Sequence, residues 1–196
     1  MAALRAACLA KRVEIREGVR VTAIRPRADT LIVEASSAAF ETPHAVLAAG
    51  AWSSEIEVEG QSLPRAFPVR GHLVGYALEP HSLGPILRRG HTYLLQRSGG
   101  FTIAGTSSEE VGFDRTLNPV LVSDIHSRAA ALLPRLAACQ PVETWLGFRP
   151  AASASEPVVG RAGGMALWLA YGHYRNGILM APATALRVAK SLIEAS

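Results

Sequence analysis

The chain is short of the residues that build metal and disulfide frameworks. Only two of its 196 residues are cysteines, Cys8 and Cys139, far apart and outside any CxxC pair. That excludes a disulfide scaffold and predicts two buried or half-buried thiols in a reducing compartment, the cytoplasm. The six histidines are isolated, with no HExxH and no His beside a Cys, so no metal site is expected. Aromatics make up only 6%, which leaves Ala, Leu and Val to fill the interior. No apolar run approaches the length of a membrane span. Met1 to Ala10, interrupted by Arg5, fits an amphipathic helix better than a signal peptide. Internal repeats and low-complexity tracts are absent. No Ser-His-Asp order, paired carboxylates or Cys-His nucleophile emerges, and Glu109, Glu110 and Asp114 are expected as solvated loop residues. Most telling, the chain contains no Gly-x-Gly, so the phosphate-cradling turn of dinucleotide folds is not among these residues.

What is present supports a real core. Apolar residues make up 49%, and the length fits one domain or two small ones. The net charge is +4 and the pI about 9.5. It comes mostly from Arg scattered along the chain, with Arg88-Arg89 the only arginine pair. A nucleic-acid surface would gather that charge on one face, so neither a nucleic acid nor a membrane is expected as partner.

Hydrophobic patterning divides the chain into α/β segments of a discontinuous plan. Helical spacing covers residues 1–10. Val13 to Arg16, Val19 to Ile24 and Leu31 to Ala35 alternate as strands, with Arg25 to Thr30 as a turn. His44 to Gly50 is an apolar strand ending in small residues. Composition shifts toward Pro and polar residues at Gly60 to Pro68, where the chain is expected to cross into a second unit. Val69 to Leu78, Thr92 to Gln96 and Phe101 to Gly105 pattern as an antiparallel sheet, with a hairpin turn at Ser98-Gly99-Gly100. Asn118-Pro119 opens a helix to about Leu136, and Thr144 to Phe148 is a returning strand. A hairpin at Gly160 to Gly164 precedes the apolar strand Leu167 to Tyr171, and Ile178 to Ala195 is helical. One layer thus uses residues 1–62 and 147–196, and residues 63–146 form an inserted unit.

Four places can carry chemistry. The stretch from Gly172 to Leu179 runs from a strand end through a polar turn into a helix. Asn176-Gly177 permits a backbone that residues with a Cβ resist. A helix start offers free N–H groups and a positive dipole end to an anion or an electron-rich ring oxygen. Arg149, in a strand ending Arg-Pro, could hold a carboxylate through both donors of its fork, or could be structural. Ala48, Ala49, Gly50 and Ala51 allow either close approach of a ligand or tight strand–helix packing. Tyr93 is either a cross-strand aromatic or a hydrogen-bond donor to a substrate.

Together these residues resemble a known family. Gly172-His173-Tyr174-Arg175-Asn176-Gly177-Ile178 with Ala181-Pro182-Ala183-Thr184 is similar to the C-terminal signature of the FAD-dependent D-amino-acid oxidase superfamily, nearest the glycine oxidases of thiamine biosynthesis. Val46 to Ser53, Pro68-Val69-Arg70-Gly71, Tyr93 to Arg97, Ala104 to Thr106, Gly112 to Asp114 and Trp145 to Pro150 follow the same family in order. The resemblance covers nearly the whole chain. It implies the C-terminal part of a glutathione-reductase-like FAD-binding domain carrying an inserted antiparallel-sheet substrate domain.

It also implies roles. Arg149 would hold the substrate carboxylate, Tyr93 would line the pocket and Arg175 would lie close to the substrate. Val21 would meet the adenine through its backbone. Ala49, Gly50, Trp52 and His173, Tyr174, Arg175, Asn176, Gly177, Ile178 and Leu179 would contact FAD. The implied reaction is oxidative deamination of glycine or a related small amine. Hydride passes to flavin N5, and O2 is reduced to hydrogen peroxide, with no general base needed. The family's Gln after Arg-Gly is His72 here, its Pro before Arg97 is Gln96, and an apolar residue after Thr106 is Ser107. With the Gly-x-Gly-x-x-Gly segment outside these residues, the chain alone is expected to bind FAD weakly. It would then need a separate N-terminal half or be a catalytically silent remnant; a homo-oligomer is a further expectation.

Overall fold

The computed structural model describes residues 1–195, and its strands fall into three sheets. The first holds β1 (Val21–Arg27), β2 (Thr30–Ala35), β3 (Ala39–Thr42) and β5 (Glu57–Val58), in the order β3-β2-β1-β5. The second holds β6 (Ala66–Ala77), β7 (Leu87–Arg89), β8 (Thr92–Gln96), β9 (Phe101–Gly105) and β10 (Glu143–Ala152), in the order β10-β6-β9-β8-β7. The third holds β4 (Ala45–Leu47), β11 (Val158–Arg161) and β12 (Leu167–Tyr171), with β12 in the middle and parallel to β4. Three α-helices accompany them among the described residues: α1 (Ala2–Ala10), α2 (Pro119–Leu132) and α3 (Gly177–Glu194).

Two apolar cores hold the sheets. Ile24, Leu31, Leu47, Leu167, Leu169 and Tyr171 form one, between the first and third sheets. Val74, Tyr76, Leu94 and Ala104 from the second sheet meet Ile125, Ala129 and Leu136 in the other. Helix α2 reaches that core because its start is well fixed. The Asn118 Oδ1 accepts from the N–H groups of Val120 and Leu121, and Pro119 occupies the first turn.

Several expected boundaries move. Val13 to Arg16 is not a strand: Val13 and Ile15 are exposed and no strand pairs with them. β1 runs on to Arg27 because Arg25 is held by Glu34, Glu57 and Glu59 on its neighbours, and only Ala28-Asp29 turn, with Ala28 at φ 49°. Helix α2 stops at Leu132, since Pro134 disfavours an α conformation at Leu133; a 3-10 turn, Pro134–Ala138, follows. β10 continues past Arg149 to Ala152, so this arginine lies within a strand and not at a chain reversal. Pro150 is tolerated because it faces Pro68, in a part of β6 that β9 does not reach. β3 and β7 are short strands whose sequences carry little apolar alternation.

No helix of the described residues is long and apolar enough to cross a membrane. Cys8 and Cys139 are free and half-buried.

Candidate active site

Strand pairing brings Arg149 and Tyr93 onto the second sheet by leaving room beside two glycines. The Arg149 guanidinium lies over Gly71 of the adjacent strand; a Cβ there would stand 2.6 Å from its Cζ. The Tyr93 ring lies over Gly105, where a Cβ would stand 2.6 Å from its Cζ and hydroxyl. Arg149 donates from Nη2 to Thr106 Oγ1 at 2.6 Å and from Nη1 to the Ser107 carbonyl at 3.2 Å. No acid of the described residues pairs with it. Burial, and then the charge of Arg175, push its pKa down, yet a guanidinium stays protonated at any working pH. A half-buried, un-neutralised arginine with donors to spare is suited to a carboxylate. Burial raises the Tyr93 pKa, against the opposing pull of Arg149 and Arg175. Its phenol therefore stays neutral at pH 7 and can donate a hydrogen bond.

The loop between β12 and α3 delivers the third group. Gly172 has φ 80° and Tyr174 φ 50°; these, and not Gly177, are the left-handed positions. A Cβ on Gly172 would stand 2.7 Å from Ala152 Cβ, so the loop passes tightly over the end of β10. The Tyr174 N–H donates to the Pro150 carbonyl at 2.8 Å, next to Arg149. Its hydroxyl lies 3.4 Å from Ser108 Oγ, and Arg175 sits over its ring at 5.4 Å. The Ser108 contact, then Arg175, lowers the Tyr174 pKa.

Helix α3 begins without a side-chain cap. Its first intrahelical bond from this loop is Met180 N–H to the Asn176 carbonyl at 2.8 Å. The N–H groups of Gly177, Ile178 and Leu179 precede that bond and have no intrahelical acceptor. Ile178 and Leu179 are 93% and 82% exposed. His173 turns inward and bonds Thr184 Oγ1 at 2.9 Å. Beside it, Val46, Ala48, Ala170, Ala181 and Ala185 line a cavity of about 530 Å3.

The other predicted contacts lie further out. Ala49 and Gly50 start a 3-10 turn, and Gly50 approaches Pro150 with φ 59°. Trp52 stacks on Phe113 at 5.0 Å. Val21 opens β1 in the first sheet, which is not hydrogen-bonded to the other two.

The sequence reading missed a buried ionic network behind Arg149. Arg70, 4% exposed, holds Glu109 through two bonds of 3.0 Å and Asp114 Oδ2 at 2.6 Å. Glu109 and Asp114 are therefore not simply solvated. His72, fully buried, accepts from the Asn118 N–H at Nε2. Its proton consequently belongs on Nδ1, which faces Ser107 Oγ at 2.9 Å and Glu109 at 3.3 Å. The Ser107 carbonyl is the acceptor for Arg149, so the network braces Arg149 from behind. Its signal in the sequence was the pair of polar residues Arg70 and His72 within a mostly apolar strand.

Comparison with known proteins decides the family. The family model described as "FAD dependent oxidoreductase" (DAO) matches residues 1–191. The chain belongs to the DAO family. It is 34% identical to the bifunctional protein ThiO/ThiG of Synechocystis sp., over 99% of this chain and 30% of that protein. It is 38% identical to the glycine oxidase of Pseudomonas aeruginosa, over 71% of this chain and 38% of that enzyme. The glycine oxidase crystal structure from Geobacillus kaustophilus superposes with a TM-score of 0.90 at 29% identity, covering 98% of this chain and 53% of that one. The chain thus spans about half the length of that DAO-family structure, and its mixed α/β architecture matches the glycine oxidase fold.

These residues fit one part of the family's cofactor. The uncapped α3 start, with exposed Ile178 and Leu179, offers free N–H groups and a positive dipole end to the oxygen-bearing edge of a flavin ring. The chain carries no Gly-x-Gly turn of the kind that cradles a pyrophosphate.

Proposed function

We propose that this chain supplies the substrate clamp and the flavin-ring contacts of an FAD-dependent oxidase acting on glycine or a related small amino acid or amine. Residues 1–62 and 147–196 belong to the FAD-binding domain in this reading, and residues 63–146 to the substrate domain. The observation that carries it is the un-neutralised Arg149 beside Tyr93 and Arg175, at the foot of the uncapped helix start. Arg149 binds the substrate carboxylate, with Thr106 and Ser107 fixing its plane. Tyr93 donates to the carboxylate from the side. Tyr174 and Arg175 close the pocket, and the positive charge of Arg175 favours an anionic substrate. FAD, when bound, is the two-electron acceptor for the hydrogen on the amine's α-carbon, with O2 reduced to hydrogen peroxide and water completing the deamination. The α3 N–H groups hold the ring edge where negative charge collects. None of the chain's residues has to act as a base if the amine binds neutral. The free, half-buried Cys8 and Cys139 suit a cytoplasmic setting.

A second reading is favoured by the absence of Gly-x-Gly and by the apolar cavity between β4 and α3. In it, the chain works only with a separate FAD-binding half. One experiment addresses both. The chain, alone and fused behind the N-terminal half of the Geobacillus kaustophilus glycine oxidase, is loaded with FAD and assayed for peroxide with glycine, sarcosine and D-alanine. Peroxide from the chain alone supports the first reading, and peroxide from the fusion only supports the second. Flavin retention without peroxide from any amine would refute the oxidase assignment.

A further inference from the structure

His72 reaches both residues whose oxygens hold Arg149. Its carbonyl accepts from Thr106 Oγ1 at 3.0 Å, a shorter path for that hydroxyl proton than the Ser107 carbonyl at 3.2 Å. The Thr106 oxygen is thereby turned to accept from Arg149 Nη2, and the Ser107 carbonyl is left to Arg149 Nη1. The His72 backbone N–H and its ring Nδ1 both meet Ser107 Oγ at 2.9 Å. Ser107 is thus gripped by its side chain while its carbonyl faces the guanidinium. His72 is fully buried and lines neither cavity beside Tyr174, so any effect it has on a ligand passes through Thr106 and Ser107.

The surroundings of the ring suit one proton and not two. Nε2 accepts from the Asn118 N–H at 3.1 Å, so the single proton sits on Nδ1, toward Ser107. A second proton on Nε2 sets two donors face to face. The ring must then leave Asn118 for Glu109 Oε2, which lies 3.3 Å from Nδ1, or for the nearby Thr116 carbonyl. Arg70 already uses both: Nε donates to Glu109 Oε2 and Nη1 to the Thr116 carbonyl, each at 3.0 Å. Asp114, the other carboxylate near the ring, is also held by Arg70, at 2.6 Å. A charged ring therefore finds no spare acceptor in place. It moves toward a shared one, and Ser107 Oγ loses its hold.

We propose that His72 is a positioning residue for the carboxylate site, holding Arg149 in register through Thr106 and Ser107 while its ring is neutral and releasing it when the ring takes a second proton. The inference rests on the reading of Arg149 as the carboxylate clamp. The probe is formate, a carboxylate that stays ionised from about pH 8 to about pH 5.5. It is titrated into the full chain, and its affinity is read from the Thr106 and Ser107 amide resonances. That affinity is expected to fall at least about fivefold as the pH drops across this range. Formate should reciprocally lower the pH at which the His72 ring C–H resonances titrate. An added positive charge with no positioning role does the opposite and favours the anion. His72→Gln keeps a donor and an acceptor but takes up no proton, so its affinity should be level across the range. Ser107→Ala keeps the backbone carbonyl and removes the link to the ring. Its profile should also be level, which keeps the test valid if the buried His72→Gln misfolds. Affinity in the parent chain that is level or rises on acidification, or a fall that persists in either folded variant, overturns the positioning role alone. Formate affinity unchanged by Arg149→Ala overturns the clamp reading, and this inference with it.

Discussion

Gly71→Ala separates the clamp from the fold. The added methyl would stand 2.6 Å from Arg149 Cζ, well inside contact distance. What it meets is the far end of a flexible side chain, so the guanidinium can swing away while β6 and β10 keep their ladder. Gly71 is not at a positive φ, so alanine adds no backbone strain and slightly reduces the entropy of the unfolded chain. A displaced guanidinium loses its bonds to Thr106 and Ser107 and its aim at the carboxylate. A charge-assisted bond of this kind is worth about 1.5–3 kcal/mol, which corresponds to roughly a 10- to 150-fold fall in kcat/KM. The assay pairs kcat/KM for glycine, on the FAD-loaded protein, with the urea midpoint. An unchanged midpoint with the predicted kinetic loss is expected. Unchanged kinetics would mean that Arg149 does not bind the substrate from this position. Loss of both would mean that the glycine matters to folding only.

Arg149→Ala removes the clamp outright and should cost about 2–4 kcal/mol in transition-state binding, roughly 30- to 1,000-fold in kcat/KM. Ile125→Ala, at the centre of the α2 core and fully buried, should lower stability by about 3 kcal/mol in urea unfolding without altering KM. Burial lowers the His72 pKa below its ordinary 6.5, so the unfolded chain binds the proton more readily than the folded one. Stability should therefore be full above about pH 7 and fall as the pH drops through 6.5 toward the folded value. His72→Gln should flatten the unfolding midpoint across that window. Tyr93→Phe should raise KM for glycine about fivefold with little effect on stability, since the phenol makes no hydrogen bond among the described residues, where such a bond would be worth about 1 kcal/mol.

How much of this the sequence disclosed depended on how local each signal was. β8, β9 and β12 announce themselves through β-rich apolar runs closed by glycines. The helix α2 start was legible from Asn-Pro, and the polar turn before α3 from Gly172, Arg175, Asn176 and Gly177. The ends of β1 and β10 were not, because cross-strand partners set them: Glu34, Glu57 and Glu59 extend β1 through Arg25, and β6 extends β10 through Pro150. Arg149 and Tyr93 were picked out one at a time. Their proximity depends on Gly71 and Gly105, residues whose importance lies in what passes over them. The Arg70, His72, Glu109 and Asp114 network joins positions up to 44 residues apart, and no periodicity marks it. Likewise, Arg89, Arg128 and Arg175 look like scattered charge in the sequence and meet only in three dimensions.

The most direct test is anaerobic reduction by glycine of the flavin in the FAD-loaded fusion with the Geobacillus kaustophilus N-terminal half, compared with the same fusion carrying Arg149→Ala. The account predicts that glycine bleaches the flavin. In the variant, bleaching should need far higher glycine while approaching a similar final extent. Absence of bleaching in the parent protein, or the same glycine dependence in both, would contradict it.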